Sequence, residues 1–227
     1  MVAPVMTQRT RVKICGLRSA EHVHAAVAAG ADALGFVFYP PSPRAITPDA
    51  AAELVALVPP FVQTVGLVVN PDPAELQQWV QTSGVDMLQF HGDETPEFCA
   101  QVCQQMSQRI GLPFFKAIRM KPGLDLEAEL PQWHAARGIL LDAWHPDLPG
   151  GTGEQFDWAN VPERWRSRII LAGGLTPNNV GQAIRTVQPY AVDVSGGVEA
   201  QKGVKDTARI QAFLAAVRQE DNRHDRQ

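Results

Sequence analysis

The stretch RVKICGLRSAEHVHAAVAAGADALGFVF, residues 11–38, decides the fold. A short apolar run stops at Gly16, an alanine-rich segment follows over Ser19–Ala29, and a second apolar run covers Ala33–Phe38. Short runs of β-branched and aromatic residues bounded by glycine predict buried strands, and an alanine-rich run that begins with serine predicts a capped helix. The stretch therefore predicts a strand–helix–strand unit with parallel strands.

The same pattern recurs along the whole chain. Because the apolar runs are continuous rather than alternating, they indicate strands of a parallel sheet that is buried on both faces. Eight such runs are predicted as strands: Val12–Cys15, Ala33–Phe38, Thr64–Val69, Met87–Phe90, Phe114–Ile118, Gly138–Leu141, Arg168–Ala172 and Ala191–Val194.

Helical segments are predicted between the strands. They are Ser19–Ala29, Asp49–Leu57, Asp72–Gln81, a segment starting at Thr95-Pro96, Leu124–Ala135, Phe156–Val161, Asn178–Thr186 and Asp206–Arg218. Three of them follow a Thr-Pro pair, at 47–48, 95–96 and 176–177, which combines a capping hydroxyl with a residue whose missing N–H costs nothing in the first turn.

Eight strand–helix units in 227 residues favour a closed (β/α)8 TIM barrel over an open doubly wound sheet. The first predicted strand is not followed by Gly-x-Gly-x-x-Gly, which weighs against a dinucleotide-binding fold. We expect one domain, residues 1–227, with flexible ends at 1–10 and 219–227.

Composition excludes several function classes. A formal net charge of −4 gives no support to nucleic-acid binding. No apolar stretch approaches the roughly 20 residues of a membrane span, and residues 1–10 lack the apolar core of a secretory signal. Three cysteines are too few and too scattered for a disulfide framework, so a reducing cytoplasm is expected. Cys99 and Cys103 are expected to be half-buried helix residues, with a redox or metal pair as the alternative, and no metal or cofactor is predicted.

In such a barrel the active site lies at the carboxyl ends of the strands. Two glycine pairs follow the seventh and eighth predicted strands: Gly173-Gly174 and Gly196-Gly197. Glycine lets backbone N–H groups approach an anion closely, and barrels often bind phosphate between these two loops. Tight turns are the alternative, but the joint occurrence favours a small phosphorylated molecule as the partner.

Three further side chains follow predicted strands. Arg44 ends a loop with three prolines, which restrict its backbone, and its guanidinium matches a carboxylate; a solvated surface arginine is the alternative. Asp142 follows an apolar run, so desolvation favours its neutral acid; a loop or capping aspartate is the alternative. Cys15 is a packing residue or a base. Lying after strands one and six, Cys15 and Asp142 face each other across the barrel mouth, which suits proton transfer on a bound sugar phosphate.

Taken together, these segments resemble the phosphoribosylanthranilate isomerase family of tryptophan biosynthesis. The matching pieces run in the family's order from near residue 10 to near residue 213. They are Lys13-Ile14-Cys15-Gly16, Gly35-Phe36-Val37-Phe38 with Ser42-Pro43-Arg44, Val65-Gly66-Leu67-Val68, Leu88-Gln89-Phe90-His91-Gly92, Leu140-Leu141-Asp142, Gly150-Gly151-Thr152-Gly153 with Phe156-Asp157-Trp158, Leu171-Ala172-Gly173-Gly174-Leu175, and Asp193-Val194-Ser195 with Gly197-Val198-Glu199.

The resemblance implies an Amadori rearrangement of N-(5-phosphoribosyl)anthranilate to 1-(2-carboxyphenylamino)-1-deoxyribulose 5-phosphate. By matched position, Asp142 is the general acid that protonates the ring oxygen, and the Cys15 thiolate is the base that takes the C2′ proton. Arg44 holds the anthranilate carboxylate and Asp193 lies near the sugar hydroxyls. The glycines of the last two strand ends, Gly173, Gly174, Gly196 and Gly197, bind the phosphate.

Two residues near these groups have less definite roles. His91 matches a family histidine, with a satisfied loop histidine as the alternative. Lys13 precedes Cys15 by two residues and therefore shares its strand face, where its charge would favour the thiolate. The sequence departs from the family at Ala143-Trp144-His145 and Ser195-Gly196-Gly197. Trp144 either covers the anthranilate ring or packs its loop.

Competing readings remain at this level. One is another barrel enzyme acting on a phosphorylated substrate, such as a relative of indole-glycerol-phosphate synthase, but the expected lysine–glutamate set at other strand ends is not matched by Lys13 and Lys116. Another is a non-catalytic barrel that binds a phosphometabolite or a partner. Activity on a related aminoaldose of histidine biosynthesis stays open, as does the choice between monomer and homodimer.

Overall fold

Eight parallel strands form a closed barrel in the computed structural model of the protein, which describes residues 9–106, 111–143 and 157–224. Each strand pairs with the next one in the chain, and the first pairs with the eighth, so the TIM-barrel prediction is confirmed. The strands are β1 Arg11–Cys15, β2 Ala33–Val37, β3 Gln63–Val68, β4 Met87–Phe90, β5 Phe114–Met120, β6 Ile139–Ala143, β7 Ile169–Leu171 and β8 Ala191–Val194.

Seven α-helices are present in the described residues. They are α1 Ala20–Ala29, α2 Pro48–Val55, α3 Pro73–Ser83, α4 Pro96–Gln105, α5 Leu126–Glu129, α6 Val180–Val187 and α7 Thr207–His224. Helices α2 and α4 begin as predicted, since Thr47 and Thr95 accept hydrogen bonds from Ala50 N and Phe98 N. None of the described helices is both long and apolar enough to cross a bilayer.

The third Thr-Pro pair does not cap a helix in this way. Helix α6 begins at Val180 after Asn179, whose side-chain oxygen accepts the N–H of Thr176 at 2.7 Å. The amide nitrogen of Asn179 donates to Gly174 O at 2.9 Å. The side chain of Asn179 therefore stabilises a loop between β7 and α6, and the helix begins later than predicted.

Two other predicted helices are shorter than expected. Within Leu124–Ala135 the chain forms α5 and then a 3₁₀ turn, Leu130–Trp133, because Pro131 has no N–H to continue the α-helical ladder. The predicted helix at Phe156–Val161 is a 3₁₀ turn over Trp158–Asn160, and Phe156 lies outside the described residues.

A small hairpin after β8 is absent from the sequence prediction. Its strands are β9 Glu199–Gln201 and β10 Val204–Lys205, which pair antiparallel with Lys205 opposite Glu199. It follows a 3₁₀ turn over Gly196–Val198. Its short, charged sequence lacks the apolar run that marks the barrel strands.

The strands separate two layers of core. Val12 and Ile14 of β1 belong to the large outer cluster between barrel and helices, whereas Phe115 belongs to a small cluster inside the barrel. Because side chains alternate along a strand, Lys13 and Cys15 point inward together, and the Lys13 ammonium lies 6.0 Å from the Phe115 ring.

The last helix is longer than predicted. Helix α7 extends to His224, past Arg218, where the predicted helix ends. Asp221 on its last turns accepts hydrogen bonds from the N–H and the hydroxyl of Thr10, at 3.1 and 2.7 Å. These bonds tie the start of β1 to the last helix. Residues 1–8 and 225–227 lie outside the described part of the chain.

Candidate active site

The predicted acid and base both lie at the carboxyl-end mouth of the barrel. Cys15 is the last residue of β1 and His91 follows β4. Asp142 is the next-to-last residue of β6, and Asp193 lies in β8. All four are buried. Arg44 comes from the loop after β2; burial lowers its pKa, but Glu199 outweighs the burial, with smaller contributions from Cys15 and Asp142, and leaves the pKa raised.

Lys13 connects Cys15 to Asp193. Its ammonium donates to Asp193 Oδ1 at 2.8 Å, and the two side chains are 5% and 9% exposed. Burial disfavours the charged Lys13, but Asp193 and Cys15 outweigh this effect and leave the pKa of Lys13 raised. Lys13 is therefore a stable cation inside the barrel mouth.

The thiol of Cys15 is less acidic than an ordinary cysteine. Burial raises the pKa of Cys15; Lys13 lowers it but does not offset the burial, and Asp193 raises it further. The expectation that Lys13 favours the thiolate is correct in direction, yet the pKa is raised overall because the sulfur is desolvated. Gly35 on β2 makes room for this sulfur, since a Cβ there would lie 2.9 Å from Sγ.

Asp142 is held between its own backbone and His91. Its Oδ1 accepts the N–H of Ala143 at 3.0 Å, and its Oδ2 lies 3.2 Å from His91 Nε2. The second contact is within ion-pair range but is not aligned as a hydrogen bond, so His91 Nε2 has no hydrogen-bond partner among the described residues. The amide nitrogen of Gln89 lies 3.0 Å from His91 Nδ1. If it donates there, the ring proton is on Nε2 and faces Asp142.

The loop that carries His91 is fixed from beneath by Glu94. This buried carboxylate accepts from Asn70 N at 2.7 Å, from Gly92 N at 3.0 Å and from the Lys116 ammonium at 2.6 Å. Lys116 also donates to Gly92 O and lies over the Trp133 ring. Sequence reasoning missed Glu94, because nothing in its local pattern shows that it joins the loops after β3 and β4 to strand β5.

Arg44 is engaged by a carboxylate of the chain itself. Its Nε and Nη2 donate to the two oxygens of Glu199 at 2.7 and 2.9 Å. Lys205 donates to the same carboxylate at 2.9 Å. Neither Glu199 nor Lys205 was predicted as a site residue, although Glu199 lies in the last family-like segment. The proline-rich loop does position the arginine, as Arg44 N donates to Ser42 Oγ at 3.1 Å.

The two glycine pairs lie on adjoining loops. A Cβ on Gly197 would lie 1.8 Å from Leu175 O, so the loop after β8 packs directly on the loop after β7. Gly173 and Gly174 have φ of 82° and 62°, a backbone that favours glycine. Their N–H groups have no acceptor within the described ranges.

Other predicted features lie outside this mouth. Cys99 and Cys103 are buried in α4, and burial raises the pKa of each to about 12, so both stay protonated thiols at neutral pH. No group of three or more His, Cys, Asp or Glu in the described ranges is arranged to hold a metal ion. Trp144, His145 and residues 150–156 lie outside those ranges, and the role of Trp144 stays a prediction.

Comparison with known proteins decides the family. Residues 12–216 match the family model described as N-(5′-phosphoribosyl)anthranilate (PRA) isomerase. The chain belongs to the phosphoribosylanthranilate isomerase family. It is therefore an enzyme, an isomerase of tryptophan biosynthesis, as the sequence resemblance implies.

Similar family members cover nearly the whole chain. The N-(5′-phosphoribosyl)anthranilate isomerase of Chromohalobacter salexigens is 54% identical over 96% of this chain and 97% of its own. The crystal structure of phosphoribosylanthranilate isomerase from Thermotoga maritima is 38% identical, covers 92% of this chain and 99% of its own, and gives a TM-score of 0.80. A phosphoribosylanthranilate isomerase solved with reduced 1-(o-carboxyphenylamino)-1-deoxyribulose 5-phosphate is 36% identical over the same shares, with a TM-score of 0.79.

Proposed function

We propose that this chain converts N-(5-phosphoribosyl)anthranilate to 1-(2-carboxyphenylamino)-1-deoxyribulose 5-phosphate by general acid–base catalysis. The observation that carries the proposal is that Cys15 and Asp142 are both buried at the mouth of the barrel. Lys13 affects the pKa of Cys15, and His91 contacts the carboxyl group of Asp142. A solved relative of this family holds a reduced form of that product, which supports a small phosphorylated substrate here.

Asp142 is the general acid in this proposal. Its carboxyl group protonates the furanose ring oxygen, the ring opens, and the anthranilate nitrogen forms a Schiff base with C1′. The contact with His91 restrains the carboxyl group, and the bond from Ala143 N fixes one oxygen. Oδ2, the oxygen that lies 3.2 Å from His91 Nε2, carries the proton toward the substrate.

Cys15 is the general base. Its thiolate takes the proton from C2′, and the resulting enolamine tautomerises to the ketone. The Lys13 ammonium lies beside both Cys15 and Asp193, so it supplies the positive charge that a thiolate needs in a desolvated site. Asp193 accepts hydrogen bonds from the sugar hydroxyls.

Binding uses both sides of the mouth. The N–H groups of Gly173 and Gly174, which have no acceptor among the described residues, suit a phosphate together with Gly196 and Gly197 on the adjoining loop. Arg44 binds the anthranilate carboxylate. We also infer a cytoplasmic location, which the three free cysteines support.

The proposal is tested with chelator-treated enzyme and freshly made N-(5-phosphoribosyl)anthranilate, without metal or nucleotide. The fluorescence of the anthranilate derivative should fall with time in proportion to enzyme. Absence of turnover under these conditions would refute the proposed reaction.

The pH profile tests the base separately. Because burial raises the pKa of Cys15, kcat/KM should rise with pH above neutrality as the thiolate fraction grows. In Cys15→Ser the rate should be at least about 100-fold lower. A near-normal rate in this variant, or a profile that lacks the alkaline rise, would remove Cys15 from the base role.

A further inference from the structure

The guanidinium of Arg44, which is proposed to bind the substrate carboxylate, has two edges that can each bind a carboxylate, and Glu199 occupies one of them. A guanidinium carries five N–H donors on a rigid plane. Glu199 occupies the side edge, formed by Nε and Nη2 of Arg44, at 2.7 and 2.9 Å, and the two side chains are 11% and 5% exposed. The end edge, formed by Nη1 and the outer proton of Nη2, has no hydrogen-bond partner in the described part of the chain.

Glu199 is itself fixed by Lys205. The Lys205 ammonium donates to Glu199 Oε1 at 2.9 Å, to Ser195 O at 3.0 Å and to Ser195 Oγ at 3.1 Å. These three bonds use all of its protons. Because Lys205 lies opposite Glu199 in the β9–β10 hairpin, the backbone register sets the distance between the two charges. Ser195 Oγ in turn donates to Cys15 O at 3.0 Å, which joins the cluster to the end of β1.

The cluster carries one net positive charge. Burial lowers the pKa of Lys205, and Glu199 offsets part of this effect. With Lys205 protonated, Arg44 and Lys205 contribute two positive charges and Glu199 one negative charge. Burial favours protonation of Glu199, but the hydrogen bonds and charges of Arg44 and Lys205 outweigh it, so the pKa of Glu199 is lowered and it stays ionised. One further carboxylate would neutralise the cluster.

Two glycines determine where the end edge lies. Gly16, with φ of 79°, lies under the arginine stem, and a Cβ there would be 2.8 Å from Arg44 Cδ. A Cβ on Gly196 would lie 3.5 Å from Arg44 Nη2. The guanidinium is therefore next to both the Cys15 loop and the loop after β8.

We propose that Glu199 and Lys205 are positioning residues that hold the side edge of Arg44, so that the substrate carboxylate is bound end-on by Nη1 and Nη2. This inference rests on the proposed function, in which Arg44 binds the anthranilate carboxylate. Without Glu199, the guanidinium would lose its fixed plane and could turn its side edge to the ligand. Without Lys205, the cluster would lose its net charge.

The experiment compares two ligands by equilibrium titration. One is reduced 1-(o-carboxyphenylamino)-1-deoxyribulose 5-phosphate, and the other is the same compound without the carboxylate. Glu199→Gln and Lys205→Met should each raise the Kd of the carboxylated ligand about tenfold. The Kd of the ligand without the carboxylate should stay within about twofold of its value for the unsubstituted enzyme. Glu199→Asp keeps the charge but shortens the reach, so it should also lose part of the preference. Glu220→Gln, which removes the charge of a buried carboxylate paired with Arg185 between α6 and α7, is the matched control and should leave the preference unchanged.

Arg44→Ala separates this inference from the proposed function. If Arg44→Ala keeps the preference for the carboxylated ligand, the carboxylate clamp itself is wrong. If Arg44→Ala abolishes the preference while all the Glu199 and Lys205 variants retain it, only the positioning role is wrong. Adding Glu199→Gln to Arg44→Ala should cause no further loss of affinity for the carboxylated ligand. A general loosening of the fold would instead weaken the binding of both ligands further.

Discussion

The two ends of the barrel use carboxylates in different ways. At the amino end, Asp32 and Asp86 accept backbone N–H groups of neighbouring strands, from Val12 at 2.9 Å and from Thr64 at 3.0 Å. Asp32 also forms an exposed ion pair with Arg9. At the carboxyl end, Asp193 and Glu199 bind the buried or half-buried side-chain cations Lys13, Arg44 and Lys205.

The difference separates folding from function. A carboxylate that accepts the N–H of a neighbouring strand fixes the register of the two strands. A carboxylate bound to a cation orients that cation, whose remaining protons still point into the mouth. Glu94 combines both uses, because it accepts two backbone N–H groups and the Lys116 ammonium beneath the His91 loop.

The largest expected effect is at the carboxyl end. Asp142→Asn should lower kcat by about 100- to 10,000-fold, because the amide cannot supply the proton that opens the ring. Its free energy of unfolding should change little, since the amide keeps an oxygen for the bond from Ala143 N. The variant is measured by single-turnover kinetics and urea unfolding. Full activity would show that the barrel mouth works without this acid.

The amino end should give the opposite result. Asp86→Ala leaves the N–H of Thr64 without its side-chain acceptor and removes the bond from the Thr64 hydroxyl, at 2.6 Å. We expect a loss of about 1–3 kcal/mol in the free energy of unfolding. In contrast, kcat/KM should stay within about twofold at temperatures where the variant is folded. A selective loss of kcat/KM with unchanged stability would overturn the division between the two ends.

The smallest effect concerns the thiols of the outer layer. Cys99 and Cys103 have a pKa of about 12 in the fold and an ordinary value of 9.0. Between these values the unfolded chain loses thiol protons that the folded chain keeps, so stability falls as pH rises from 9 toward 12. A Cys99→Ala/Cys103→Ala double variant should be less stable at pH 7 because of its cavities, but should lose stability less steeply in this window. Equal slopes in urea unfolding would contradict the buried-thiol assignment.

The sequence was sufficient for the barrel and for the positions of its strand ends. Continuous apolar runs are a strong local signal, and β4 and β8 begin and end as predicted. Cys15 and Asp142 could be predicted because the active site of a TIM barrel lies at the carboxyl ends of its strands, where these two residues occur.

The supporting residues could not be predicted in this way. Glu199 contacts Arg44 across 155 positions of sequence, and Glu94 joins the loops after β3 and β4 to strand β5. No local pattern encodes either set of contacts. The same holds for Thr176, where a capping pattern was overridden by the Asn179 side chain. The net pKa of Cys15 also depends on how far the fold buries the sulfur, which no local motif specifies.

The pairing of β1 with β8 has a consequence for how the enzyme is made. Lys13 lies on β1, but its partner Asp193 lies on β8, 180 positions later. Glu199 of the β9–β10 hairpin, the partner of Arg44, follows it by 155 positions. During synthesis, domains generally fold as units, and transiently exposed segments invite misassembly. A ribosome-bound chain that ends before residue 191 has no counter-charge for Lys13 and no partner for Arg44. The enzyme should therefore gain its active mouth only in the final stage of translation.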